Sequence, residues 1–386
     1  MKLRECETMT AVRYEGLIFM TNNLIKFLSC SILVGTLSAS AQVTITPLTS
    51  FGVNGWDAPG ANAYLTTGTT ERSLTFADGD VFLTSRASGN SIVALNATTG
   101  AVIGTLNTTG ISGGTFAIDA VAAGADGALY IANLTTSAAS PLKIYEYANP
   151  LSLTTAPTLV YSGNPIIGTR FGDDLAAIGS GSSTMLVAGS GAGSSGYELI
   201  NPTLGTATAV SFTGSPPTAG DFRLGVTFTD SSHVLGTQGT ITRYSSFSGS
   251  TGTLLASPAL NSVAERPVSY VTINGHNYMA AMSTGDNHIS IYDMTDPTTP
   301  VFLGSAIATT GTLTANSNGT GGVAWGNIVV NGDGSATADV YGLSTADGIS
   351  AFQITIPAPV PEPATLSLFA LGGLATVIFG KKIGGK

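Results

Sequence analysis

The sequence predicts an all-β repeat fold, on three observations. Only 10% of residues are charged while Gly reaches 49 copies, a composition that suits short strands and tight turns better than helices with charged outer faces. A short apolar pattern, Ile-x-x-large, recurs six times. Its copies are nearly evenly spaced, which is the mark of a repeat architecture.

The copies stand at 92–95, 144–147, 197–200, 241–244, 289–292 and 349–352. Their last positions span 257 residues in five intervals, a mean period of about 51, as in propeller blades with moderately long loops. Each copy follows a second run, at 81–84, 128–132, 184–188, 233–236, 278–282 and 338–342, across Gly, Ser, Asn and Thr, which is a hairpin signal. A further run precedes five of these pairs (74–77, 118–122, 175–179, 224–228, 268–273), and another follows five (101–106, 158–161, 206–212, 252–256, 301–304). Four antiparallel strands per period define a blade, so the expectation is a β-propeller. The sixth repeat lacks a fourth strand, and 43–48 is a strand without a repeat; pairing the two closes the ring and removes an exposed edge. The count is about six four-stranded blades over 42–357, or seven if 51–70 contributes strands.

Both ends read as addresses. Residues 20–41 combine a Lys26-bearing start, an apolar stretch at 27–37 and Ala39-Ser40-Ala41, the three parts of a cleaved signal peptide. Residues 1–19 are an out-of-place extension ahead of it, and the expected start is Met20. Cys6 and Cys30 lie before the expected cleavage, so the mature chain has no disulfide, zinc-thiolate site or cysteine nucleophile. At the other end, 358–363 is a Pro-rich linker kept extended by its prolines, and 364–386 is an apolar helix at the short limit for a membrane anchor, ending in Lys381, Lys382 and Lys386.

The order Val360-Pro361-Glu362-Pro363-Ala364-Thr365, apolar helix, basic end resembles the PEP-CTERM sorting signal of exported Gram-negative bacterial proteins, with Pro361, Glu362 and Pro363 carrying the likeness. The terminal cluster is Lys where that signal is usually Arg-rich. The resemblance implies processing by an exosortase, at least transient inner-membrane anchoring through the C-terminal helix, and delivery to the cell surface or exopolysaccharide matrix. The middle of the chain, with Arg170-Phe-Gly172-Asp173-Asp174-Leu, then Ile178-Gly-Ser-Gly, and with the repeat from Ile289 to Gly304, is similar to an uncharacterised bacterial propeller domain seen with such tails. That likeness implies fold and location and brings no activity.

Residues 42–357 carry 7 Lys+Arg against 19 Asp+Glu, a net −12 that repels nucleic acid and anionic lipid, so no nucleic-acid partner is expected. The motif survey yields no catalytic set. Gly110-Ile-Ser112-Gly-Gly114 matches a nucleophile elbow without the strand-to-helix context that chemistry needs. Gly191-Ala-Gly193-Ser-Ser-Gly196 spells a dinucleotide fingerprint, yet a strand follows where the phosphate-binding helix belongs. His233, His276 and His288 have no metal-ligand spacing. Asn331-Gly-Asp333-Gly-Ser335 and Asp78-Gly-Asp80 offer oxygens to Ca²⁺, but tight turns select the same residues, and the expectation is no cofactor and no metal. Trp56, Trp325 and Tyr64 have faces that suit sugars, with core packing the ordinary use.

One pattern is positional. Glu71-Arg72, Arg170 with Asp173 and Asp174, Asp221 with Arg223, and Glu265-Arg266 all stand at or just before the first strand of a repeat. First strands line a propeller's channel, so Arg72, Arg170, Asp173, Asp174, Asp221, Arg223 and Arg266 form a candidate ligand site at one channel mouth; the alternative is a set of blade-to-blade ion pairs. The expected function is an exported, non-enzymatic surface or matrix propeller that binds or scaffolds. The alternatives are a polysaccharide hydrolase or lyase using the Asp173 and Asp174 carboxylates, and a protein-binding adhesin.

Overall fold

The computed structural model describes residues 42–214, 217–261 and 265–358. The expected signal peptide, most of the Pro-rich linker, the apolar C-terminal helix and the sorting residues Pro361, Glu362 and Pro363 lie outside the described residues. No described helix is long and apolar enough to cross a membrane.

Residues 42–358 form six blades in sequence order, each of four antiparallel strands, and the outer strands of the third and fourth blades, Thr206–Phe212 and Thr251–Ala256, also pair in parallel through Ser211 and Phe212. The inner strands are Glu71–Ala77, Phe116–Ala123, Ala176–Ile178, Gly225–Asp230, Glu265–Ile273 and Gly321–Val330. They neighbour one another in turn, and the sixth returns to the first, so the sheets form the closed ring of a β-propeller. Strand Thr44–Pro47 supplies the missing outer strand of the sixth blade, antiparallel to Gly348–Ile356 in a register running from Thr44 opposite Thr355 to Pro47 opposite Phe352. The N-terminal strand thus ties the first residues of the domain to its last.

Residues 51–70 do not build a seventh blade. They contribute only the two-residue strand Trp56–Asp57, which pairs with Ser350 and Ile349 of the sixth blade, and the Trp56 indole donates to the Asp347 carbonyl at 2.8 Å. Phe51 and Leu65 from this segment are fully buried between the sixth and first blades, Phe51 with its ring centroid 5.6 Å from that of Tyr341. The segment is a plug under one blade interface.

Six apolar clusters stabilise the ring, one at each blade interface. Residues an odd number apart on a strand point to opposite faces, and every sheet here is covered on both. Ile144 accordingly joins the cluster facing the third blade while Tyr147 joins the one facing the first. Ile289 and Tyr292 divide between the sixth- and fourth-blade sides in the same way. The recurring Ile-x-x-large pattern is therefore one strand feeding two cores, and each fully buried large side chain contributes roughly 1.5–3 kcal/mol.

The inner strands enclose an axial cavity of about 700 Å³. Phe76, Phe228, Tyr270 and Trp325 are among its lining residues, and the Trp325 indole donates to the Ser269 carbonyl at 3.1 Å. Its lining runs from Asp174, Val226, Pro267 and Gly322 near the starts of the inner strands to Ala125, Gly179, Thr272 and Ile328 at their far ends, and Arg72, Asp119 and Asp173 lie outside it.

Candidate functional site

Four strands per blade mean that each inner strand begins on the same face of the ring. Six strand starts therefore converge around one mouth. Alternation sorts what they present there: consecutive residues face opposite ways, so Arg72 and Arg266 are not partners of the adjacent Glu71 and Glu265. Glu71 is buried and accepts from the Thr66 amide at 2.7 Å, while Glu265, also buried, accepts from the Tyr292 hydroxyl at 2.6 Å.

Arg72 crosses the mouth. Its Nε donates to Asp119 of the second blade at 2.8 Å, its Nη2 to Asp173 ahead of the third at 3.3 Å, and its Nη1 to the Thr320 hydroxyl at the start of the sixth at 3.1 Å. The side chains of Arg72, Asp119 and Asp173 are 3%, 0% and 1% exposed. Arg170 closes the other side of Asp173 with a two-pronged contact, Nε and Nη2 each at 2.6 Å. Burial pushes the Asp119 carboxyl up to about 6, against the pull of the Arg72 guanidinium.

Asp174 turns the opposite way. Its two oxygens accept the amides of Leu175 at 2.9 Å and of Val226 in the fourth blade at 2.7 Å, and desolvation pushes its carboxyl up to about 8. Asp221 does not pair with Arg223: it accepts Nε of Arg243 at 2.8 Å and the amide and hydroxyl of Thr218 at 2.7 and 3.0 Å, closing its own loop.

Arg223 and Arg266 are different. Both are half-buried, and neither has a hydrogen bond or ion pair among the described residues. Both Nε–H groups are buried without an acceptor. Burial first, then Arg170, Arg266 and Arg72, hold the Arg223 guanidinium below its ordinary value, while Asp173 pulls the other way. The seating of both side chains rests on glycine. A Cβ at Gly191 would lie 2.6 Å from Cδ of Arg223 and 2.8 Å from Cδ of Arg170, and one at Gly319 would fall on the Arg266 guanidinium.

Sequence reasoning missed three parts of this arrangement. Asp119 sits in an apolar run, Phe116-Ala-Ile-Asp119-Ala-Val, where an isolated acid facing a channel is the one usable signal. Arg86 directly follows the second strand Asp80–Ser85 and so returns to the same face; it lies 3.4 Å over the Phe116 ring and donates to the Thr69 carbonyl at 2.9 Å. His288 has Asp286 at 2.7 Å and Glu265 at 3.5 Å, and Ser283 donates to Asp286. Burial alone would lower His288, but the hydrogen bonds and charges of Glu265 and Asp286 outweigh it and its pKa is raised.

The remaining motifs fall in turns. Ser112 lies in the loop between the first two blades, with its amide donating to the Tyr145 hydroxyl at 3.1 Å. Gly191 to Gly196 connects two strands of the third blade. Asp333 accepts the amide of Ser335 at 2.9 Å within a hairpin, and Asp78 begins another with φ +49°. His233 lies beside Asp230 at 2.8 Å, and His276 begins the second strand of the fifth blade. Among the described residues no group of three or more His, Cys, Asp or Glu side chains is placed to hold a metal ion. Tyr64 packs against the core between the sixth and first blades.

Fold and mouth together define a closed six-bladed propeller with an arginine-rich entrance. Comparison with known proteins adds two matches. Residues 40–210 match the domain of unknown function DUF4623, and residues 359–382 match the PEP-CTERM protein-sorting motif. That motif marks an exported protein, processed by an exosortase and sorted to the cell envelope. Among solved structures, a DUF4623 family protein from Bacteroides eggerthii DSM 20697 is similar in fold, at 16% identity and TM-score 0.58, over 82% of this chain and 75% of that one. Weaker likenesses are the major Malassezia sympodialis allergen Mala s 1 (10% identity, 75% and 92% covered, TM-score 0.48) and the RRP9 WD40 repeats (10%, 82% and 98%, 0.41). No curated protein matches the chain.

Proposed function

We propose that this chain is a non-enzymatic binding propeller, held in the inner membrane by its C-terminal helix until exosortase processing and then displayed at the cell surface or in the exopolysaccharide matrix. Its ligand docks on the mouth where the inner strands begin. The observation that carries this reading is the division of charge there: the carboxylates of Asp119, Asp173 and Asp174 are all engaged by guanidinium or amide groups, while two arginines have no partner among the described residues. Hydrolysis or elimination on a glycan needs a carboxylate free to take or give a proton at the substrate. A binder needs donors, and the mouth holds two guanidiniums with no hydrogen bond among the described residues.

The test is to incubate the purified protein with a panel of neutral and acidic polysaccharides and follow both retention and new chain ends. Retention without cleavage is the expected result. Cleavage that disappears in a folded Asp173→Asn variant would overturn the reading in favour of an enzyme. Fractionation of cells expressing the chain with and without 360–386 tests the address: the truncated form should leave the envelope fraction, and an unchanged distribution would contradict it.

A further inference from the structure

We propose that Arg223 and Arg266 form a binding site for one compact oxyanion, a carboxylate, sulfate or phosphate group, presented by a free small anion or by the acidic group of a small sugar acid. This rests on the reading of the strand-start mouth as the binding face and adds the class of ligand.

Five arginines reach this mouth, but their partners differ: Arg86 lies over the Phe116 ring and donates to the Thr69 carbonyl at 2.9 Å, with its Nε unpaired. Arg72 and Arg170 face Asp119 and Asp173 at 2.6 to 3.3 Å. Arg223 and Arg266 remain, with no hydrogen bond among the described residues and with buried Nε–H donors that lack acceptors. Buried donors in folded proteins are ordinarily satisfied, so a pair left open on one face points to an acceptor from outside the chain. Oxyanions fit because each guanidinium offers a rigid fork of parallel N–H groups that two oxygens of a carboxylate, sulfate or phosphate can accept, and charge-assisted pairing to them is stronger than to a neutral acceptor.

The site is built into the backbone. Any side chain at Gly191 would displace the stem of Arg223, and any at Gly319, whose φ is +63°, would displace the guanidinium of Arg266. Like charges also accumulate: Arg170, Arg266 and Arg72 all act on Arg223 against the single opposing charge of Asp173. Binding one negative group relieves that repulsion.

Size is limited by the rest of the domain. With 19 acidic against 7 basic residues over 42–357, and Arg72, Arg170, Arg223 and Arg266 gathered at this mouth, the remaining surface is strongly negative. A polyanion laid across it would meet repulsion beyond the mouth, whereas a single compact group would stay within it.

The experiment is isothermal titration of the purified protein at low salt with inorganic phosphate, sulfate, glucuronate and polymeric polygalacturonate. The variants are R223Q, R266Q, the charge-preserving R223K/R266K, and K143Q as a control for charge lost elsewhere. Near-ultraviolet circular dichroism verifies that each variant is folded. Saturable one-to-one binding of at least one monomeric anion is expected, weakened roughly tenfold or more by either Gln substitution and less by the Lys pair, with K143Q unchanged. Preference for phosphate or sulfate over glucuronate would assign the free anion as the source, and the reverse a sugar acid; either result supports the site. Failure of every monomeric anion to bind, or equal binding by folded R223Q and R266Q, would overturn it. Failure of every monomeric anion to bind, together with retention of a neutral glycan in the polysaccharide assay, would leave the binder reading standing and sink this one alone.

Discussion

The two halves of one channel mouth hold the same residue type in opposite states. On the side of the first three blades, Arg72 and Arg170 are tied to Asp119 and Asp173 in a network that joins neighbouring blades, with Arg72 and both carboxylates buried and Arg170 partly exposed. On the side of the fourth and fifth blades, Arg223 and Arg266 stand half-buried with no partner among the described residues. The difference lies in what the adjoining inner strands offer. The second and third blades supply Asp119 and Asp173, and the sixth supplies Thr320 to Arg72. Of the acids beside the fourth blade, Asp174 is turned to the Val226 amide and Asp221 to Arg243. One half of the mouth is a rivet, and the other half is left to bind.

The largest expected effect breaks the rivet. Asp119→Ala leaves the buried Arg72 guanidinium with a single, longer carboxylate contact, and loss of one partner from a buried ion pair costs about 3–5 kcal/mol. A lowered denaturant midpoint with an unchanged slope would show it, whereas a shift below about 1 kcal/mol would mean that the network does not hold the ring. Next in size is Phe51→Ala beneath the sixth and first blades, where a fully buried ring is replaced by a cavity at a cost of about 3–5 kcal/mol, less if the segment collapses.

A pH effect separates the two acids that the mouth buries. Asp119 at about 6 and Asp174 at about 8 both hold protons in the fold above the range where an unfolded aspartate, near about 3.9, has released them. The folded state therefore binds more protons between these values, and stability falls as pH rises. Their contribution is fully present below about 4, and it is lost through about 6 for Asp119 and about 8 for Asp174. Denaturant midpoints from pH 4 to 9 should show this decline, and Asp174→Asn should remove its upper part; a rise in stability across that range from these groups would contradict the assignment. The smallest effect is expected in the open half. Arg223→Gln removes an unsatisfied buried donor and a like-charge contact, so stability should stay within about 0.5 kcal/mol or increase.

How much of this was legible in the sequence follows from what each element packs against. Strands sandwiched between two cores write a dense apolar pattern, and 92–95, 144–147 and 289–292 each mark the third strand of a blade. The closing strand was legible because the sixth repeat visibly lacks a partner for Ile354 and Ile356. The inner strand Gly321–Val330 was not read, and its first residues show why: a Cβ at Gly322 would lie 2.5 Å from the Leu74 amide nitrogen, so close approach at the axis requires glycine and erases the apolar signal. The gathering of arginines at one mouth was readable from strand position alone. Which of them is paired was not, because Arg72 and Asp119 are 47 residues apart and meet only when the blades close into a ring.

The most direct measurement of the division is the set of arginine Nε–Hε resonances in a ¹⁵N-labelled sample. Arg72 and Arg170 donate these protons to carboxylates at 2.8 and 2.6 Å, so both should be shifted downfield, slow to exchange and indifferent to added phosphate. Arg223 and Arg266 should lack the downfield shift and should move together as an oxyanion is titrated in. Four resonances that behave alike, all hydrogen-bonded or all unresponsive, would contradict the account.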